Sequence, residues 1–133
     1  MDETTFKERT KALGLEVIRV VEGLPRGKAA QVIGRQLLRS ATSVGANYRA
    51  ACRGRSEADV CAKLAIVEEE ADETVYWLEL LAEGGVAPSA VTAALKAEAD
   101  EIVAMTVASI KTLRRRASGR DGGGGPRGPR PRV

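Results

Sequence analysis

From Val60 to Leu81 the positions Val60, Leu64, Val67, Ala71, Thr74, Leu78 and Leu81 step by four and three residues without a gap. Spacing that averages about 3.5 residues keeps one stripe on one face of an α-helix, and such a stripe must be buried against other helices. Three further segments repeat the pattern. Phe6, Thr10, Leu13, Val17, Val20 and Leu24 mark the first, and Ile33, Leu37, Ala41, Val44, Tyr48 and Ala51 mark the second. The fourth carries Leu95, Ala99, Ile102, Met105, Ile110 and Leu113. No segment alternates with period two over a useful length, so strands are excluded.

Turn residues separate the four. Pro25 and Gly27 break the first stripe, and Pro25 either ends the turn or opens the next helix. The second helix runs to about Cys52; Gly54 supplies a C-terminal cap position, and Arg53 and Arg55 suit the negative end of the helix dipole. Ser56 is a good N-cap for the third helix, with Asp59 three residues on imitating a capping box. Gly84 and Gly85 end that helix, and Pro88 and Ser89 open the fourth. Links of about three to five residues make successive helices antiparallel neighbours. The expected fold is all-α: an antiparallel up-down-up-down four-helix bundle over residues 1–117, with a disordered C-terminal tail over 118–133.

Charge is distributed unevenly along this frame. The net charge of +3 comes entirely from the tail, where Arg120, Arg127, Arg130 and Arg132 oppose only Asp121. Its sequence, SGRDGGGGPRGPRPRV, has almost nothing to bury, so ordering it has no compensation. The tail either touches acidic or nucleic-acid surfaces or serves as a solubilising extension. Within the bundle, residues 25–55 carry seven basic side chains and no acid, whereas residues 56–83 carry nine acids against Lys63 alone.

Several chemistries drop out. Histidine is absent, which removes Ser-His and Cys-His catalysis and the commonest transition-metal ligand together. Cys52 and Cys61 form no C-x-x-C pair and read as reduced packing residues. The acidic run Glu68, Glu69, Glu70, Asp72, Glu73 has no E-x-x-H partner, and its neighbouring members point to different faces. No catalytic residue, cofactor, metal or small-molecule substrate is expected. The first residues, MDETTFKERT, lack a basic n-region followed by an apolar run. No apolar stretch approaches the roughly 20 residues that span a bilayer. A cytoplasmic protein without a membrane partner is the natural reading.

Two polar features remain. Arg35, Arg39, Ser43 and Asn47 form one i, i+4 row on the second helix. Antiparallel packing about a turn near residues 54 and 55 sets residues level when their numbers add to about 109. Arg39 then faces Glu70, with Glu73 a turn away, and Arg39, Ser43, Asn47, Glu70 and Glu73 make up an expected polar network that fixes register. The second feature is a pole. In an up-down bundle the C-terminal ends of the second and fourth helices coincide, so Arg49, Arg53 and Arg55 share one end with Lys111, Arg114, Arg115 and Arg116. The acids there (Asp2, Glu3, Glu57, Asp59) only partly cancel them. Such an end can face phosphates, although helix-dipole complementarity explains part of the pattern. Of the four aromatics, Phe6, Tyr48, Tyr76 and Trp77, the last two lie on the acidic helix and neither sits in a basic groove, so contact by charge and shape is expected rather than base stacking.

The elements RS-x-TSVGANYR-x-A-x-R-x-RS, from Arg39, and EEA-x-ET-x-YWLELL, from Glu69, are specific in combination. They resemble the bacterial four helix bundle protein family, also called the 23S rRNA-intervening sequence protein family, over about residues 6 to 116. The resemblance implies a four-helix bundle that assembles into homo-oligomers, commonly ring-shaped pentamers. A similar bundle, the accessory variability-determinant protein of diversity-generating retroelements, engages a reverse transcriptase and nucleic acid. The matching positions are Arg39, Ser43, Asn47, Arg55, Ser56, Glu70, Glu73, Tyr76 and Trp77. Leu38 stands where many relatives carry arginine, Ala50 and Ala51 where many carry Glu-Gly, and the tail after Ala117 has no counterpart. Leu38, Ile66, Trp77 and Leu80 lie off the main stripes and are expected to form an interface with further copies. Two functions stay open: an oligomeric binding or scaffold protein that contacts RNA, DNA or a nucleoprotein such as a reverse transcriptase, and a protein-interaction bundle that binds no nucleic acid.

Overall fold

The computed structural model of the protein describes residues 2–120. Four helices follow one another: α1 (Glu3–Glu22), α2 (Lys28–Cys52), α3 (Glu57–Glu83) and α4 (Ser89–Arg120). No strand occurs among the described residues. Each helix packs against its sequence neighbours, and α1 closes on α4 to complete the bundle. That last seam is the thinnest. Arg9 fastens it, its guanidinium binding Glu98 and lying 3.1 Å from Glu101, with Nη1 3.2 Å from the Met105 sulfur.

The stripes become the core. All seven positions named on α3 are buried, and Phe6, Leu13, Val17, Leu37, Ala41, Val44, Tyr48, Ala51, Leu95, Ile102, Ile110 and Leu113 join them. The Phe6 and Tyr48 rings meet edge to face, 4.4 Å between centroids at 83°, an arrangement favoured by the ring quadrupoles. Val20, Leu24, Ile33 and Met105 are half-buried at the margins. The core also takes in Ser40, Thr92 and Thr106, absent from the apolar stripes. Ser40 and Thr106 bond carbonyls of their own helix, so their hydroxyls enter an apolar layer satisfied.

Local signals set the helix ends. Asp2 caps α1, accepting from the Thr5 N–H at 2.7 Å and the Thr5 hydroxyl at 2.9 Å. Ser56 Oγ caps α3 by accepting from the Asp59 N–H at 3.1 Å. The reciprocal arm differs from a capping box, because Asp59 accepts from Arg55 N–H rather than Ser56 N–H. Pro25 lies in the link, so it ends the turn rather than opening α2. Gly27 and Gly85 adopt φ of 152° and 70°, conformations that side chains rarely take. Gly54 is needed for space instead, since a Cβ there would lie 2.2 Å from Val60 Cγ2.

Two expectations require correction. Helix α4 continues through Ser118, Gly119 and Arg120, which sequence reading placed in the tail. Backbone hydrogen bonding propagates once a helix is formed, so a single glycine does not stop it. Residues 121–133, the rest of that expected tail, lie outside the described residues. Second, Leu38 and Trp77 pack against the core, Leu80 is half-buried, and of the four off-stripe residues only Ile66 is exposed. The large apolar side chains left in solvent are instead Leu15, Ile18, Val32, Ile66, Tyr76 and Val91.

Candidate nucleic-acid interface

The helix ends at one pole gather the cationic residues. The α2–α3 turn places Arg49, Arg53 and Arg55 around one recess of about 490 Å³, floored by Ala46 and Ala50 and edged by Asp59 and Lys63. The last turns of α4 bring Lys111, Arg114, Arg115 and Arg116 to the same end, all exposed. Arg114 lies close enough to Cys61, near the start of α3, to favour its thiolate. Burial dominates at that thiol and pushes its pKa up.

Asp2, Glu3 and Asp59, three of the acids at this pole, are engaged locally. Asp2 is the α1 cap, Glu3 pairs with Lys7 at 3.2 Å, and Asp59 binds Lys63 at 2.6 Å as well as the Arg55 N–H. The Lys63 contact, then the Arg55 N–H, hold the Asp59 carboxyl below its usual range. By contrast, Arg49, Arg53, Arg55, Lys111, Arg114, Arg115 and Arg116 make no salt bridge among the described residues. Exposed cations without internal partners remain hydrated and free to exchange counterions for phosphates.

The second set of residues divides. Arg39 crosses from α2 to α3, with Nη2 2.7 Å from Glu73 Oε2 and Nη1 3.4 Å from Glu70 Oε2. Burial raises the Glu70 carboxyl despite the opposing pull of Arg39. Ser43 and Asn47 do not reach α3. Ser43 Oγ donates to the Arg39 carbonyl at 2.7 Å, and Asn47 Nδ2 to the Ser43 carbonyl at 2.8 Å. Short polar side chains on a helix find the carbonyl one turn back before any neighbouring helix. Of the expected network, Arg39, Glu70 and Glu73 therefore make contact between α2 and α3, whereas Ser43 and Asn47 bond within α2.

Sequence reasoning missed Arg9, whose partners lie some 90 residues away on α4. It also missed the groove between α1 and α2, floored by Thr10, Gly14, Ala41 and Gly45. The signal for the groove was available in the paired glycines, Gly14 on α1 and Gly45 on α2. Among the described residues no group of three or more His, Cys, Asp or Glu is placed to hold a metal ion. No helix there is long and apolar enough to cross a membrane.

Fold and pole together define an antiparallel four-helix bundle with a cationic end. Residues 3–108 match the 23S rRNA-intervening sequence protein family, to which this chain belongs. A crystal structure of a protein of unknown function from the S23 ribosomal protein family of Bacteroides thetaiotaomicron is similar, with 32% identity and a TM-score of 0.77. The likeness covers 84% of this chain and 99% of that one. No match is found among curated proteins.

Proposed function

We propose that this protein is a non-enzymatic, cytoplasmic homo-oligomer, a pentamer by preference, that holds RNA or DNA against its basic pole through charge and shape. A nucleoprotein such as a reverse transcriptase is a partner of the same chemistry. The observation that carries the reading is the set of seven cations without salt bridges among the described residues, at a pole where the acids Asp2, Glu3 and Asp59 are already engaged. The family's name, which refers to 23S rRNA, supports it. Base readout has no support at this pole, because Tyr76 and Trp77 sit on the acidic α3. Affinity therefore rests on phosphate contacts, and copies of the pole within one assembly add through multivalency.

The test is titration of a labelled RNA and a labelled duplex DNA. Three phosphate contacts lower affinity roughly 40-fold between about 50 and 200 mM salt, as counterion release requires. Arg53→Glu combined with Arg114→Glu should abolish retention while helicity is unchanged, and sequence should matter little. If neither nucleic acid is retained at low salt and tens of micromolar protein, the protein-interaction bundle is the function that stands.

A further inference from the structure

We infer that a second copy of this chain docks in the groove between α1 and α2 through the outer face of its α3, with the two bundles parallel. The inference rests on the homo-oligomer reading above and specifies the two faces that meet. The groove encloses about 580 Å³ over a floor of small residues, and Leu15 and Ile18 stand on its wall at 47% and 40% exposure. Lys11 and Arg49 line it as well, and neither makes a salt bridge among the described residues. Its chemistry is thus cationic at the end near the basic pole and aliphatic further along.

The outer face of α3 carries the complement. Ile66 and Tyr76 are exposed at 40% and 52%, with Glu69 and Asp72 exposed between them. Neither acid makes a salt bridge among the described residues. Spacing selects the alignment. Lys11 precedes Ile18 by seven residues, and Glu69 precedes Tyr76 by seven. At about 1.5 Å of rise per residue both intervals are about 10 Å. Setting Glu69 level with Lys11 therefore sets Tyr76 level with Ile18 and brings Glu8, the acid of the groove, level with Ile66 rather than with a carboxylate.

Geometry then follows from order. The paired residues run in the same direction along both helices, and α1 and α3 point the same way within one bundle. The docked copy is parallel, with its basic pole on the same side. Groove and ridge lie on different faces of one chain, so the contact is heterologous and repeats. Where the rotation closes, it makes a ring whose basic poles all face one way.

Sedimentation or light scattering of the full chain tests this. Lys11→Glu and Glu69→Lys should each weaken self-association at least tenfold, and the double exchange should restore it. Thr42→Trp, which fills the groove from an exposed position, should also disperse the assembly; circular dichroism establishes that each variant is folded. Undiminished assembly in Lys11→Glu, Glu69→Lys and folded Thr42→Trp would overturn the inference while leaving the homo-oligomer intact, and so would a double exchange that fails to restore it. A wild-type chain that stays monomeric at tens of micromolar overturns the homo-oligomer reading and this inference with it.

Discussion

Thr74 Oγ1 on α3 donates to Ser40 Oγ on α2 across 3.0 Å, with both residues wholly shielded from solvent. Ser40 in turn donates to the Leu37 carbonyl at 3.2 Å, and the Glu70 carbonyl at 2.8 Å is the alternative acceptor for Thr74. A buried hydrogen bond of this kind contributes about 1 kcal/mol net, but losing one partner can cost more than losing both. Thr74→Val should therefore destabilise by about 1 kcal/mol in urea unfolding. Adding Ser40→Ala should cost less than the two single changes predict, and a double-mutant cycle reads the difference. Strict additivity would show that the two hydroxyls are uncoupled.

Gly54 supports a second prediction at the α2–α3 turn. A methyl at that position meets Val60 Cγ2 at 2.2 Å and the Ala51 carbonyl at 3.1 Å. Gly54→Ala should cost roughly 1–3 kcal/mol, as overpacking does in a filled core. Val60→Ala in the same chain should recover part of the loss, because the closest clash is with that side chain. Thermal melts of the two singles and the double decide it.

Leu78 is wholly buried on the α3 stripe, within the last two turns of the helix. Leu78→Ala should cost roughly 2–5 kcal/mol through lost burial and the cavity left behind. A change below about 0.5 kcal/mol would show that the site collapses freely or that Leu78 is outside the core.

Alkaline pH supplies the fourth. Burial, reinforced by the Glu3 carboxylate, pushes the Cys52 thiol up to about 11. An unfolded cysteine ionises near 8.5. The folded chain keeps this proton where the unfolded chain releases it, so the stability it contributes is present below about pH 8.5 and is lost as pH rises through about 11. Cys52→Ala should flatten the decline of stability over that window. Glu3→Gln should speed alkylation of Cys52 in the native protein at pH 8 to 9, since it removes a carboxylate that disfavours the thiolate.

The α3 stripe, the Ser56 cap and the ends near Cys52 and Gly84 were legible because helical period and capping are set by residues within one or two turns. The facing of α2 and α3 was legible to within about one turn: Arg39 reaches Glu70 at 3.4 Å but binds Glu73 more closely at 2.7 Å, and Thr74 rather than Glu69 stands opposite Ser40. A short antiparallel link converts sequence distance from the turn into height along the bundle.

Burial beyond the stripes was decided elsewhere. Trp77 and Leu38 read as interface residues, yet they pack on the core, because how far each helix rotates about its axis depends on all its neighbours at once. Ser40 entered the α2–α3 layer because Thr74 stands opposite, and Ser43, one turn further round, bonds only its own helix. The Arg9 clasp and the α1–α2 groove exist only when distant segments meet. By itself, then, the sequence determined four helices, their ends up to the start of α4 and their antiparallel order, since these follow from local periodicity and short links. The tertiary structure alone decided which buried hydroxyls pair, which apolar residues stay in solvent and which cations lack a salt bridge among the described residues, because those depend on side-chain contacts between helices that no local pattern encodes.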